Sequence, residues 1–318
     1  MRQKRRIWLD ADPGLDDWLT MLLLASHDPL EWVGMSVVAG NAPLAVTLDN
    51  ALRIRALHGL EVPIHAGAAQ PLNMPQETAQ HILGAQGMRT TGPELAPTTQ
   101  ACDGTDAVRS LLQALRQGRG PTTLVATGPL TNIAQALLQD RQAMNAVDEI
   151  VWMGGSTDIG NHTPVAEFNA FADPEAVAVV LASGLPIRMF GLNLCRQLLL
   201  THEHVQALQA LPGPVAACVA GYVDAYQRIR SADGSVPMPL YDPVVALWLM
   251  QPPWFDFASL PVQVELQGRH TRGMTVCDMR RKTTQPANVQ VALRVQADAA
   301  MALFMQSLSD VLAASATA

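Results

Sequence analysis

Four carboxylates fall within the eight residues Asp10-Ala11-Asp12-Pro13-Gly14-Leu15-Asp16-Asp17. An apolar run (Ile7-Trp8-Leu9) precedes them, and another, from Trp18 to Ala25, follows. The pattern reads as strand, tight turn and helix, with the acids gathered in the turn. Carboxylates this close repel one another unless a cation or a shared proton compensates. With only oxygen ligands on offer, a hard divalent ion is the simplest compensation. The other reading is a solvated acidic turn whose charges favour a helix N-terminus.

A chain that begins this way folds as α/β if the alternation continues, and it does. Strands are predicted over 7–10, 31–39, 63–67, 122–126, 149–153 and 186–190, with helices over 16–26, 43–58, 105–117, 130–138 and 174–183. Helices at 202–211, 214–230 and 241–250 follow, then strand-like runs at 262–266, 274–278 and 289–295 and a closing helix at 297–312. This rhythm predicts one domain over 1–318, Rossmann-like, with a mostly parallel central sheet flanked by helices. Two segments interrupt it, about 70–103 and 231–241, and read as lids or loops, the first with a short helix near 77–83. Residues 156–171 read as a polar loop.

The net charge of −7 argues against a nucleic-acid-binding surface. No apolar run approaches the ~20 residues of a membrane span. Residues 1–6 are basic, but Asp10 and Asp12 arrive before a signal-peptide apolar region forms, so a cytoplasmic protein is expected. The four cysteines form no Cys-x-x-Cys pair and read as thiols of a reducing compartment.

In a parallel sheet, ligands sit at the carboxyl ends of the strands. Here those ends are rich in oxygen: the acidic turn, Gly40-Asn41, Thr127-Gly128-Pro129 with an exposable carbonyl, and Gly154-Gly155 leading to Asn161, Glu167 and Asn169. Asp242, just before a predicted helix, extends the set. Such an inventory suits a calcium- or magnesium-type ion and a polyhydroxylated substrate.

Four segments resemble the inosine–uridine-type nucleoside hydrolases. They are Asp10 to Asp17, Val37-Val38-Ala39-Gly40-Asn41, Leu124 to Ile133, and Val151-Trp152-Met153-Gly154-Gly155 running on to Ala166-Glu167-Phe168-Asn169 and Ala172-Asp173-Pro174-Glu175. Tyr241-Asp242-Pro243 and Thr271 to Val276 carry the likeness to the C-terminal part. The resemblance implies hydrolysis of the N-glycosidic bond of ribonucleosides. It implies a Ca²⁺ ion bound by Asp12, Asp17, the Thr127 carbonyl and Asp242, with Asp12 also the general base that activates water. Asp16, Asn161, Glu167 and Asn169 would hold ribose hydroxyls, Asn41 would lie by the metal and the water, and Met153 under the sugar. Asp10 would orient the others from behind. A homodimer or homotetramer is implied as well.

The chain departs from that pattern at the end of the site that receives the base. Tyr241 stands where well-studied members carry His, and Leu83-Gly84 where many carry His-Gly, with His81 two residues earlier. Tyr241 is expected to contact the leaving base, and His81 is a candidate for the same end. Two other functions compete: a haloacid-dehalogenase-like phosphatase with Asp10 as nucleophile and Mg²⁺ as cofactor, and a non-catalytic, metal-dependent nucleoside- or ribose-binding protein.

Overall fold

The computed structural model describes residues 4–118 and 120–315; the first three residues of the basic start lie outside them. The acidic turn is bracketed as the apolar pattern dictates, by strand β1 (Arg5–Ala11) and helix α1 (Leu15–Ser26). Then come β2 (Leu30–Val37), α2 (Leu44–His58) and β3 (Ile64–Ala66). The segment read as a lid holds one short helix, α3 (Gln80–Leu83). Alternation resumes with α4 (Ala107–Gln117), β4 (Thr122–Ala126), α5 (Thr131–Gln139), β5 (Val147–Met153), α6 (Phe168–Ala172), α7 (Pro174–Leu181) and β6 (Ile187–Phe190).

The next part is mostly helical: α8 (Leu192–Cys195), β7 (Leu199–Leu200), α9 (His202–Gln209), α10 (Pro214–Gln227), β8 (Met238–Pro239) and α11 (Pro243–Met250). The chain closes with β9 (Phe255–Leu260), β10 (Val262–Val264), β11 (Thr275–Cys277), β12 (Val289–Val295) and α12 (Ala297–Ser315).

Eight strands form the main sheet in the order β3-β2-β1-β4-β5-β6-β12-β9. Neighbours run parallel except β12 and β9. The chain winds outward in one direction from β1 and in the other from β4, so the order reverses between these two strands. A crevice opens at such a switch point, beyond the carboxyl ends of the strands.

Side chains alternate across a strand. Ile7, Leu9 and Ala11 join the core shared with α1, α10, α11 and α12, whereas Trp8 joins the opposite core with Leu124, Ala126 and the apolar faces of α4, α5 and α7. Apolar burial on both faces is what holds a parallel sheet, and it accounts for the near-continuous apolar runs in β1, β4 and β5.

Several elements differ from expectation. Residues 156–171 are not all loop, because α6 starts at Phe168. The runs at 262–266 and 274–278 shorten to β10 and β11, which pair with each other in a separate antiparallel ribbon. β9 forms the antiparallel edge of the main sheet although Pro252, Pro253 and Pro261 flank it and disguise it as a turn region. The small β7–β8 pair also went unread. The helix expected from 241 begins at Pro243, with proline in the first turn, where its missing N–H has no intrahelical partner to lose.

Candidate active site

Of the four acids only Asp10 lies within β1. On the strand face it shares with Trp8, its Oδ1 accepts hydrogen bonds from Asn132 Nδ2 (2.8 Å) and from the Ser36 hydroxyl. Trp8 Nε1 in turn donates to Ser36 Oγ (3.0 Å). Burial pushes the Asp10 carboxyl up to about 7, against the two hydrogen bonds that favour its charge.

Asp12, Asp16 and Asp17 belong to the turn and the first turn of α1. Asp12 is 1% exposed, and its Oδ2 accepts the Asn41 backbone N–H at 2.6 Å. Asn41 Nδ2 reaches the Asp12 carbonyl (3.0 Å) and Asp17 Oδ2 (3.3 Å), which ties the second strand end to the first. Two glycines leave room for the Asp12 carboxylate. A Cβ on Gly40 would overlap Oδ2, and one on Gly128 would sit 2.8 Å from Oδ1. Asp17, fully buried, caps its own helix by accepting Gly14 N–H (3.0 Å) and also accepts the Thr127 hydroxyl (2.7 Å).

Asp242 arrives from the start of α11, and carboxylate oxygens of Asp16, Asp17 and Asp242 lie within 4.8 Å of one another. Burial raises the pKa of all four of these acids, Asp17 to about 7, and repulsion by neighbouring carboxylates adds to it at Asp12, Asp17 and Asp242. For Asp242 the repelling charges are Asp16, Asp17 and Asp12. The donor set is oxygen only, buried and self-repelling. It therefore fits a hard divalent cation, which would relieve the repulsion that water is excluded from screening.

The ends of β4 and β5 supply the facing wall. Asn169 Nδ2 donates to the Thr127 carbonyl (2.8 Å) and the Met153 carbonyl (3.1 Å), which joins the two strand ends. Glu167 caps α6: Oε1 accepts Asn169 N–H (2.8 Å), while Oε2 accepts Ala170 N–H (3.1 Å) and Gly155 N–H (2.8 Å). Burial outweighs these bonds and raises its carboxyl to about 7. Asn161 Oδ1 accepts Phe168 N–H (2.9 Å), and Arg196 holds the preceding turn through Asp158 (2.7 Å) and the Ile159 carbonyl (2.8 Å).

These walls enclose a cavity of about 280 Å³, close to the lower edge of the ~300–1,000 Å³ usual for small-molecule sites. Asp12, Asp16, Asn41, Thr127, Asp242 and Met153 line one part of it. Asn161, Glu167, Asn169, Tyr241 and His81 also line it; of the sequence-derived candidates Asp10 and Asp17 do not, and Asp17 is joined to the lining through the Thr127 hydroxyl. Tyr241 is mostly buried, which raises its phenol pKa.

Sequence reading missed part of the lining. Tyr226 donates its hydroxyl to Asp16 Oδ2 (3.4 Å), and Arg230, four residues on, lies at the rim. His162, beside Asn161, and Phe168, beside Glu167, also line the cavity. Their adjacency to named residues was the available signal for His162 and Phe168. Tyr226 and Arg230 carried none, because they come from the end of a helix that otherwise reads as core.

A family model described as inosine-uridine preferring nucleoside hydrolase matches residues 7–302. A pyrimidine-specific ribonucleoside hydrolase, RihA of Shewanella sp. (strain MR-7), is 38% identical over 308 residues, 96% of each chain. Among solved structures, a purine-preferring ribonucleoside hydrolase from Gardnerella vaginalis superposes with a TM-score of 0.88 at 26% identity, over 98% of this chain and 100% of that one. An inosine-guanosine nucleoside hydrolase gives 0.85 at 26% identity, over 97% and 98%.

Proposed function

We propose a residue-level mechanism from one premise: the chain belongs to the inosine-uridine preferring nucleoside hydrolase family and hydrolyses the N-glycosidic bond of ribonucleosides. The phosphatase and the non-catalytic binding readings give way to that membership. The observation that supports the mechanism best is the convergence of Asp12, Asp16, Asn41, Glu167, Asn169 and Asp242 on one cavity.

In this proposal Asp12, Asp17, the Thr127 carbonyl and Asp242 hold the metal, and calcium is the ion that such hard, flexible oxygen ligands suit. When bound, the ion supplies Lewis-acid polarisation of the attacking water and of vicinal hydroxyls. Asp12, fixed by the Asn41 N–H, accepts the proton of the water that attacks C1′. Asp16 takes a ribose hydroxyl, with Tyr226 steadying its other side. Glu167 spends three of its ~4 lone-pair positions on backbone N–H groups and offers the remaining one to the sugar. Asn161 and Asn169 hold further hydroxyls, and Met153 packs beneath the ring. As the base departs, positive charge spreads over the ribose in an oxocarbenium-like transition state, which the surrounding carboxylates stabilise.

Tyr241 contacts the leaving base as a wall and hydrogen-bond donor. The segments about 70–103 and 231–241 act as lids, and the enzyme works in the cytoplasm as a homodimer or homotetramer. Pyrimidine ribonucleosides are the proposed substrates, supported by the 38% identity to a pyrimidine-specific relative against 26% to a purine-preferring structure.

Free-sugar release from a panel of purine and pyrimidine ribonucleosides, with 2′-deoxy controls, tests this reading. Uridine and cytidine should lead, and the deoxy compounds should lag by several kcal/mol-equivalents of rate, roughly 10²-fold or more, because a buried partner of each missing hydroxyl is left unpaired. Faster turnover of inosine, or equal turnover of deoxyuridine, would contradict the base or the ribose assignment respectively.

A further inference from the structure

One ring at the base end of the cavity has no part in the mechanism above. His162 follows Asn161 in the loop after β5, and its imidazole packs 4.4 Å from Phe171 and 5.5 Å from Phe168, both on α6. His81, on α3, meets it edge-on at 6.4 Å. Both imidazoles line the cavity, and neither ring has a hydrogen-bond partner among the described residues. The pair thus joins the lid to the wall that carries Asn161 and Glu167, with ring nitrogens open to a ligand.

We propose that His162 is the leaving-group acid of this site, its ring held against the base by Phe168, Phe171 and His81. The assignment rests on the hydrolase reading given above and names the proton donor that Tyr241 leaves open. A phenol with an ordinary pKa of ~10 gives up a proton at neutral pH far less readily than an imidazolium near ~6.5. In the step, the C1′–N bond breaks and its electron pair stays on the base nitrogen, which takes the proton of the His162 imidazolium. The water oxygen bonds to C1′ and its proton passes to Asp12. Solvent exchange then returns one proton from Asp12 to His162, so that a nucleoside and water become ribose and a neutral base.

The groups that face His162 are Glu77 and His81 from the lid and the two phenylalanines from α6. Burial lowers its pKa; Glu77 opposes this and His81 adds to it. A lowered pKa makes the protonated ring a stronger donor, and the developing negative charge of the base favours that form once substrate is bound.

The test compares uridine with 4-nitrophenyl riboside, whose leaving group departs without a proton. His162→Gln should lower kcat on uridine by about 10²-fold or more while 4-nitrophenyl riboside turnover stays within about two-fold, which also reports that the variant is folded. In the wild type, kcat on uridine should fall as pH rises through a group titrating below the ordinary histidine value, and the 4-nitrophenyl riboside profile should lack that limb. Equal losses on both substrates, no loss on uridine, or superimposable wild-type pH profiles would overturn the assignment and leave the hydrolase reading standing. A wild-type enzyme that cleaved neither substrate would overturn both.

Discussion

At Gly40 a single methyl group would strike the proposed base directly. A Cβ there overlaps Asp12 Oδ2 and comes within 2.9 Å of Pro129. Gly40→Ala is therefore expected to displace the proposed base and lower kcat by about 10²-fold, since misplacement by ~1 Å is enough for that loss; steady-state kinetics against an unchanged fold by circular dichroism would check it. Asp10 makes a different point. Its carboxyl titrates near 7 in the folded protein against an ordinary 3.8, because burial disfavours the charge. Between those values the folded state keeps a proton that the unfolded chain has released. The stability this lends is complete below about 3.8 and lost as pH climbs to 7. Asp10→Asn keeps the Oδ1 acceptor for Ser36 and Asn132 but has no charge to bury. The variant's melting temperature relative to wild type should be more favourable at pH 8 than at pH 5, and an identical difference at both would remove the claim. That Asp10 stands behind the others came only with the family resemblance, and its partners Ser36 and Asn132 come from elements 26 and 122 residues away, which no local pattern announces.

At the scale of elements, α6 exists largely because Glu167 caps it. Three backbone N–H groups converge on that carboxylate, so a helix of five residues holds its place beside the cavity. Glu167→Gln would turn an NH₂ group toward donors and leave at least one of them unpaired, at a cost of roughly 1–3 kcal/mol. Denaturant unfolding should register that loss, and KM should rise as Asn169 shifts away from Thr127 and Met153; a variant equal to wild type in both would contradict the capping account. Sequence reading treated this stretch as loop because five residues carry no helical period, yet it named Glu167 and Asn169 through their motif. β9 was missed for the opposite reason. Its Phe-Asp-Phe alternation is present, but the flanking prolines are breakers, and an antiparallel edge tolerates them where a central strand would not.

For the whole molecule, the sheet reversal between β1 and β4 puts the acidic turn and Thr127 on either side of one crevice. The α/β class and the parallel sheet were legible from the rhythm of apolar runs, and the oxygen-rich strand ends from their turns. The rest of the cavity was not, because its remaining wall comes from α3, the end of α10 and the loop before α11, whose approach to the crevice depends on how two cores pack around the sheet. The same packing buries four carboxylates in one place, and the calcium ion proposed to be held there is expected to be required for ribonucleoside hydrolysis. The direct measurement is ribose release from uridine by protein treated with excess chelator, then with calcium added back beyond the chelator. Activity should disappear with the chelator and return with calcium, and the melting temperature should fall and recover with it. An undiminished rate in excess chelator would contradict the claim.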